Sequence, residues 1–252
     1  MIRQRRLLAI FAHADDETLL AGAILARYAA EGVEVRLLVA APGGDESEER
    51  LTRAAKVLGI ALVSSLRYEP SPMWPRRAEG TTQGARPASP LVTSPPLKES
   101  APMLGEALLE DLAARIAGRI DDFAPQAVLT HAPYGEYGHP DHITVHRATL
   151  RGFAAAPRPG VSLYCLAYPL PLIRLNGWLM RLSGRDTSRA GPRGTVDVRA
   201  AVRAAPRKSG VIDVRAHVAG RRRAAAAYAG LIAAGPFPLR MLERSPQWLQ
   251  RR

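Results

Sequence analysis

The sequence predicts an α/β fold: an open, mostly parallel, Rossmann-like sheet with helices on both faces and a C-terminal extension. Three observations lead there. Leu7 to Ala12 reads LLAIFA, an unbroken apolar run of the kind that forms a parallel strand covered on both faces. Strand-like and helix-like periodicities then alternate as β-α-β-α-β, the order of an open parallel sheet. Finally, the stretches richest in chemistry, AHADDE (12–17) and GHPDH (138–142), each lie just beyond an apolar strand segment. In such sheets the strand ends line the ligand crevice, so two such turns are expected to share one pocket.

Each element has its own signal. After the acidic turn, Leu19, Leu20, Ile24, Leu25 and Tyr28 recur at helical spacing, and Gly32 marks the stop. Val33 to Ala41 reads as a second strand ending in PGGDESEE. Leu51, Ala54, Ala55 and Leu58 predict a short helix ending at LGI, and 61–66 a third strand. Eight of the 21 prolines fall between Pro70 and Pro102, which predicts an irregular insertion. Leu104, Leu108, Leu112, Ile116 and Ile120 mark a helix, and QAVLTHA (126–132) a buried strand. GEYGHPDHITVHRATL begins as a glycine-rich turn and becomes helical at about Pro140, a residue favoured in the first helical turn. Val161 to Tyr168 is one more strand; GTVDV and GVIDV are brief strand candidates, and RRRAAAAYAGLIAA a helix. The expected organisation is a catalytic core over 1–170, with its insertion at about 70–102, and a basic extension over 171–252 packed on the same domain.

Composition narrows the function classes. The 252 residues carry a net charge of +12, but unevenly: 1–170 hold 18 basic and 19 acidic residues, 171–252 hold 17 and 4. Sixteen of those 17 are arginine, without the interleaved aromatics on which single-stranded nucleic acid stacks, so no nucleic-acid partner is expected. No apolar run approaches the roughly 18 residues of a membrane span, and no stable membrane insertion is expected. The single cysteine, Cys165 in SLYCLAYPL, excludes an internal disulfide framework; it reads as a core residue and suits the cytoplasm.

Three consecutive acids raise one another's cost of ionisation, so an opposing charge is required, and the chain offers no obvious one nearby. A divalent cation answers the requirement. His13, Asp16 and a histidine of HPDH make a set of two nitrogens and one carboxylate, which suits zinc and keeps a position open for water. Asp16 then ligates, and Asp15 is left to accept a proton. His142 and His146 stand at i and i+4, a spacing that also binds zinc, but His146 and His131 read as packing residues.

AHADDE, with GHPDH about 120 residues later, resembles the LmbE-like or PIG-L-like family of zinc-dependent N-deacetylases, whose first motif is usually written AHPDDE. The resemblance covers roughly residues 5–152. It implies that His13, Asp16 and His142 bind the metal, one Zn2+ ion with Fe2+ as the alternative, and that Asp15 is the general base for a metal-activated water. His139 becomes the charged or proton-donating partner of the transition state, oriented by Asp141, and Tyr137 contacts the substrate's oxyanion. The implied reaction removes an N-acetyl group from an N-acetylglucosamine-type conjugate, a small molecule; self-association is left open. Ala14 departs from the family's usual proline, and Ser47 and Arg50 stand near positions where the family carries an arginine and a glutamate. Two rivals are kept: an amidase acting on a thiol-sugar conjugate, and a glycolipid or membrane-surface binder using LIRLNGWLMRL and the basic extension.

Overall fold

The computed structural model describes residues 4–71, 92–93, 103–104, 109–167, 178, 182, 210–230 and 249–251. Its centre is the predicted apolar run, β1 (Arg6–Phe11). Being buried on both faces, β1 feeds two separate cores by simple alternation. Leu7, Ala9 and Phe11 face one, together with Val35, Leu37 and Val63; Leu8, Ile10 and Ala12 face the other, with Leu38 and Val128. The remaining strands are β2 (Glu34–Val39), β3 (Leu62–Ser65), β4 (Val92–Thr93), β5 (Ala127–Thr130), β6 (Ser162–Leu166) and β7 (Leu249–Arg251). They form one sheet in the order β4-β3-β2-β1-β5-β6-β7, parallel throughout except for the β6–β7 pair.

That order contains a reversal. The chain runs outward from β1 through β2, β3 and β4, then returns to place β5 on the other side of β1, with Leu7 beside Ala127 and Ile10 beside Thr130. The carboxyl ends of β1 and β5 are therefore the topological switch point, where open sheets leave a crevice.

Helices cover both faces, as predicted. On the first lie α1 (Asp16–Leu19), α2 (Gly22–Ala30) and α3 (Asp45–Leu58); on the second lie α4 (Leu109–Phe123) and α6 (Pro140–Ala155), with the single turn α5 (Gly135–Gly138) ahead of α6. α3 carries Asp45, Glu46 and Glu48 in its first turn, where carboxylates complement the helix dipole, and stops at Gly59 in the left-handed region. Gly152 lets α6 seat against α4: a Cβ there would lie 2.7 Å from the Ala113 carbonyl oxygen.

The structure changes several expectations. The helix read through Leu19–Tyr28 is broken at Leu20 and Ala21 into α1 and α2. The insertion is not wholly irregular, because β4 lies within it and extends the sheet beside β3. GVIDV (210–214) forms no strand: Val214 is buried and Ile212 packs on the first core, but Val211 is 63% exposed and the segment leads straight into a 3-10 turn, Arg215–His217. GTVDV lies outside the described residues. Beyond the turn comes α7 (Val218–Ala225), then a second 3-10 turn, Ala226–Tyr228. Ala224, Ala225 and Tyr228 are buried in the first core, and α7 lies against α2 and α3.

Candidate metal centre and active site

The first site turn leaves β1 under backbone strain. Asp15 has φ 113°, in the left-handed region that non-glycine residues rarely occupy, a conformation that costs on the order of 1–3 kcal/mol. Local hydrogen bonds hold it there. The Asp15 N–H donates to Glu17 Oε2 at 2.9 Å, while the Thr18 and Leu19 N–H groups donate to the Asp15 carbonyl at 3.0 and 2.8 Å. Likewise the His13 N–H donates to Asp16 Oδ2 at 2.9 Å.

Glu17, the third acid, turns away from chemistry. It is fully buried, and its Oε1 accepts from the Thr18 hydroxyl at 2.5 Å and from the Tyr228 hydroxyl at 3.0 Å. Burial pushes its carboxyl up to about 7, against the pull of those hydrogen bonds. Tyr228, 211 residues downstream, thus clamps the first turn. Tyr228→Phe removes one donor from a buried carboxylate and is expected to cost about 1–3 kcal/mol, read as a lower midpoint in denaturant unfolding.

The second turn is equally constrained. Gly135 has φ +62°, and a Cβ there would come within 3.0 Å of both His142 Cβ and Ile143 Cγ1, so only glycine lets the turn fold back on α6. Pro140 begins α6 and His139 caps it, with His139 Nδ1 accepting the Asp141 N–H at 3.1 Å. Glu136 sits between these features at φ 58°, another strained non-glycine residue.

The two turns meet at the switch point. Asp16 Oδ1 lies 3.4 Å from His142 Nε2, and Asp16 Oδ2 lies 3.6 Å from His13 Nδ1. The rings of His13 and His142 are 5.3 Å apart between centroids. Ligand atoms of His13, His139 and His142 lie within 4.8 Å of one another, as do those of Asp16, His131 and His142. Neighbouring ligands of a tetrahedral zinc ion stand about 3.4 Å apart, so the spacings around Asp16 fit that donor set. Nearby, Asp141 Oδ1 is buried with no hydrogen-bond partner among the described residues.

Asp15 is partly buried beside this cluster. Burial first, then the charges of Asp16 and Glu17, hold its carboxyl well above the usual range. A cation next to Asp16 would offset that repulsion.

The structure brings His13, Asp15, Asp16, His139 and His142 together, and it refines the roles of their neighbours. The hydrogen bonds of the Asp141 carboxylate go elsewhere than His139: its Oδ2 meets His13 Nε2 at 2.9 Å and the Ser71 N–H at 2.8 Å, while it is the Asp141 backbone N–H that donates to the His139 ring. An acceptor at Nε2 leaves the lone pair of His13 on Nδ1, facing Asp16. His139 is pushed down to about 2 by burial and by His13 and His142, so its neutral, hydrogen-bonding form is favoured over a charged one. The Tyr137 side chain lies outside the described residues.

His131 is fully buried, accepting the Ala12 N–H at Nε2 (2.9 Å) and meeting Glu136 through Nδ1 (3.0 Å). Burial disfavours its charged ring while Glu136, Asp16 and Asp141 pull the pKa up; the Ala12 contact nonetheless requires a lone pair at Nε2. With both nitrogens engaged it is a supporting residue. His146 Nδ1–H donates to the His131 carbonyl at 2.8 Å and sits 3.8 Å from buried Cys165, which agrees with its reading as packing. Arg50 pairs with Glu46 within α3. Glu136 was not singled out from the sequence, where it reads as part of a glycine-rich turn; its one signal is an acid placed between two histidines of a cluster.

An α/β sheet with a histidine and aspartate donor cluster at its switch point defines a metal-binding enzyme scaffold. The chain matches the PIG-L family, described as GlcNAc-PI de-N-acetylase, over residues 8–153, and it belongs to that family. It is 33% identical to a 1D-myo-inositol 2-acetamido-2-deoxy-alpha-D-glucopyranoside deacetylase of Acidothermus cellulolyticus, over 92% of this chain and 82% of that one. A protein with the same description from Thermobifida fusca is 32% identical over 68% of this chain; there the match spans 65% of the relative's length. Among solved structures, the zinc-inhibited form of teicoplanin deacetylase Orf2 superposes with a TM-score of 0.58 at 19% identity, covering 98% of each chain, which establishes the shared fold.

Proposed function

We propose that this chain is a metal-dependent hydrolase that removes the N-acetyl group from an N-acetylglucosamine-type conjugate. The observation that carries the reading is that His13 Nδ1 and His142 Nε2 both approach the Asp16 carboxylate, beside Asp15, at the switch point. His13 Nδ1, a carboxylate oxygen of Asp16 and His142 Nε2 would hold the ion, zinc or iron(II). When bound, such an ion polarises an acyl carbonyl and lowers the pKa of water toward about 7.

The protein's own residues divide the remaining work. Asp15, its pKa raised by burial and then by its acidic neighbours, and held by the strained turn, takes a proton from the attacking water. Neutral His139 offers Nε2–H to the oxygen that gains charge, and Tyr137 is assigned to the same task; each well-placed donor is worth roughly 3 kcal/mol. Asp15 then returns a proton to the departing amine, and acetate and a free amino sugar are released.

Support for the substrate class comes from family membership and from two relatives described as deacetylases of an inositol-linked acetamido sugar. The burial of Ala224, Ala225 and Tyr228 in the first core supports a C-terminal region packed on the same domain as the site. The fully buried free thiol of Cys165 supports the cytoplasm, and no described helix is long and apolar enough to cross a membrane.

The test is acetate release from a panel of N-acetylglucosaminides, including the inositol conjugate, by enzyme stripped with chelator and reloaded with zinc or iron(II). Release that vanishes on chelation and returns with metal is expected. A loaded enzyme that liberates another acid or phosphate, and no acetate, would overturn the reading.

A further inference from the structure

We infer that Glu136 is a positioning residue for the metal centre: it grips His142 at Nδ1 and so presents Nε2 to the cation. The inference rests on the reading of His142 as a ligand and concerns how that ligand is aimed.

The hydrogen bonds account for each atom of the carboxylate. Oε1 accepts the Ala132 N–H at 2.8 Å, so the ring contacts fall to Oε2, which lies 3.0 Å from His131 Nδ1 and 2.6 Å from His142 Nδ1. The proton of His131 is fixed independently. Its Nε2 accepts the Ala12 N–H, so Nδ1 carries the hydrogen and donates to Glu136. His142 Nδ1 approaches the same oxygen, and an ionised carboxylate only accepts; Nδ1 of His142 is therefore protonated and Nε2 bears the lone pair. That Nε2 is the atom 3.4 Å from Asp16 Oδ1.

Packing and backbone point the same way. The His142 ring is stacked between His131, at 4.0 Å and 14° between planes, and His139, at 4.6 Å and 11°. The stack fixes the ring plane but not which edge faces the cation, and a flipped ring would put carbon against Glu136. The Glu136 carboxylate, as the acceptor at Nδ1, sets the edge. Glu136 reaches it from a left-handed backbone that glycine would adopt more cheaply, a strain that the side chain's three contacts offset. A ligating histidine that donates its second N–H to a carboxylate is fixed in tautomer and made more basic, and losing that partner typically weakens metal binding about 10- to 100-fold.

The experiment titrates zinc alone into the full-length protein against a chromophoric chelator, using wild type, Glu136→Gln, Glu136→Gly and His142→Ala. Both Glu136 variants are expected to bind zinc about 10- to 100-fold more weakly. Glu136→Gly also relieves the backbone, so its loss of affinity separates the carboxylate from the strain. If His142→Ala keeps wild-type affinity, the ligand assignment itself is wrong. If His142→Ala loses zinc while Glu136→Gln binds as wild type does, the assignment stands and the inference about Glu136 fails. Should both Glu136 variants fail to fold, ring-nitrogen NMR of the metal-free wild type decides: Nδ1-protonated His142 supports the inference, and Nε2-protonated His142 overturns it.

Discussion

Asp15→Asn is expected to hold metal as wild type does while turning over about 100- to 10,000-fold more slowly, the span usual for a lost general base. Asparagine is the informative substitution because the backbone at residue 15 sits at φ 113°. Alanine there would add strain to the loss of the carboxylate, whereas asparagine tolerates the left-handed region. The amide keeps the side chain's shape but does not take up a proton from water. Asp16, His13 and His142 are untouched, and the bonds that hold the turn, from Asp15 N–H to Glu17 and from Thr18 and Leu19 to the Asp15 carbonyl, are made by backbone atoms. Metal content per chain together with acetate-release kinetics checks the result. Turnover at the wild-type rate in a metal-loaded Asp15→Asn protein would remove Asp15 from the chemistry.

His142→Ala is expected to fail at the earlier step. It removes a ring whose Nε2 lies 3.4 Å from Asp16 and whose Nδ1 lies 2.6 Å from Glu136, so it strips the ion of a ligand and the buried carboxylate of a donor. Bound metal should fall below detection after dialysis, and turnover should fall to background. Thermal unfolding separates this outcome from simple misfolding. An ion that binds only the native state stabilises it by about 2.7 kcal/mol at 100 times its dissociation constant, so zinc should raise the wild-type midpoint and leave that of His142→Ala unmoved. A variant with the wild-type response to zinc would exclude residue 142 as a ligand.

The contrast between these variants mirrors what could be read from the chain. The acids and histidines of AHADDE and GHPDH were legible because each follows an apolar strand, and strand ends converge in an open parallel sheet. The helix beginning at Pro140 was legible from local chemistry alone. Other features depend on partners that no local pattern names. Glu17 looks like one more acid of a helix N-terminus, and its role follows from Tyr228, 211 residues downstream. Glu136 looks like a turn residue until folding sets it between His131 and His142. The family resemblance pairs Asp141 with His139, yet its carboxylate crosses to His13 on the other turn. GVIDV has the β-branched composition of a strand and even alternates solvent and core, with Val211 exposed and Val214 buried, yet among the described residues no strand pairs with it.

The hydroxyl that Tyr228 lends to Glu17 bears on biosynthesis. Domains generally fold as units while the chain is still being made. Here the turn that carries Glu17 must wait until a residue 211 positions further on has been added before this hydrogen bond can close. Nascent chains halted ahead of residue 228 should lack this clamp and hold the acidic corner more loosely than chains that include it.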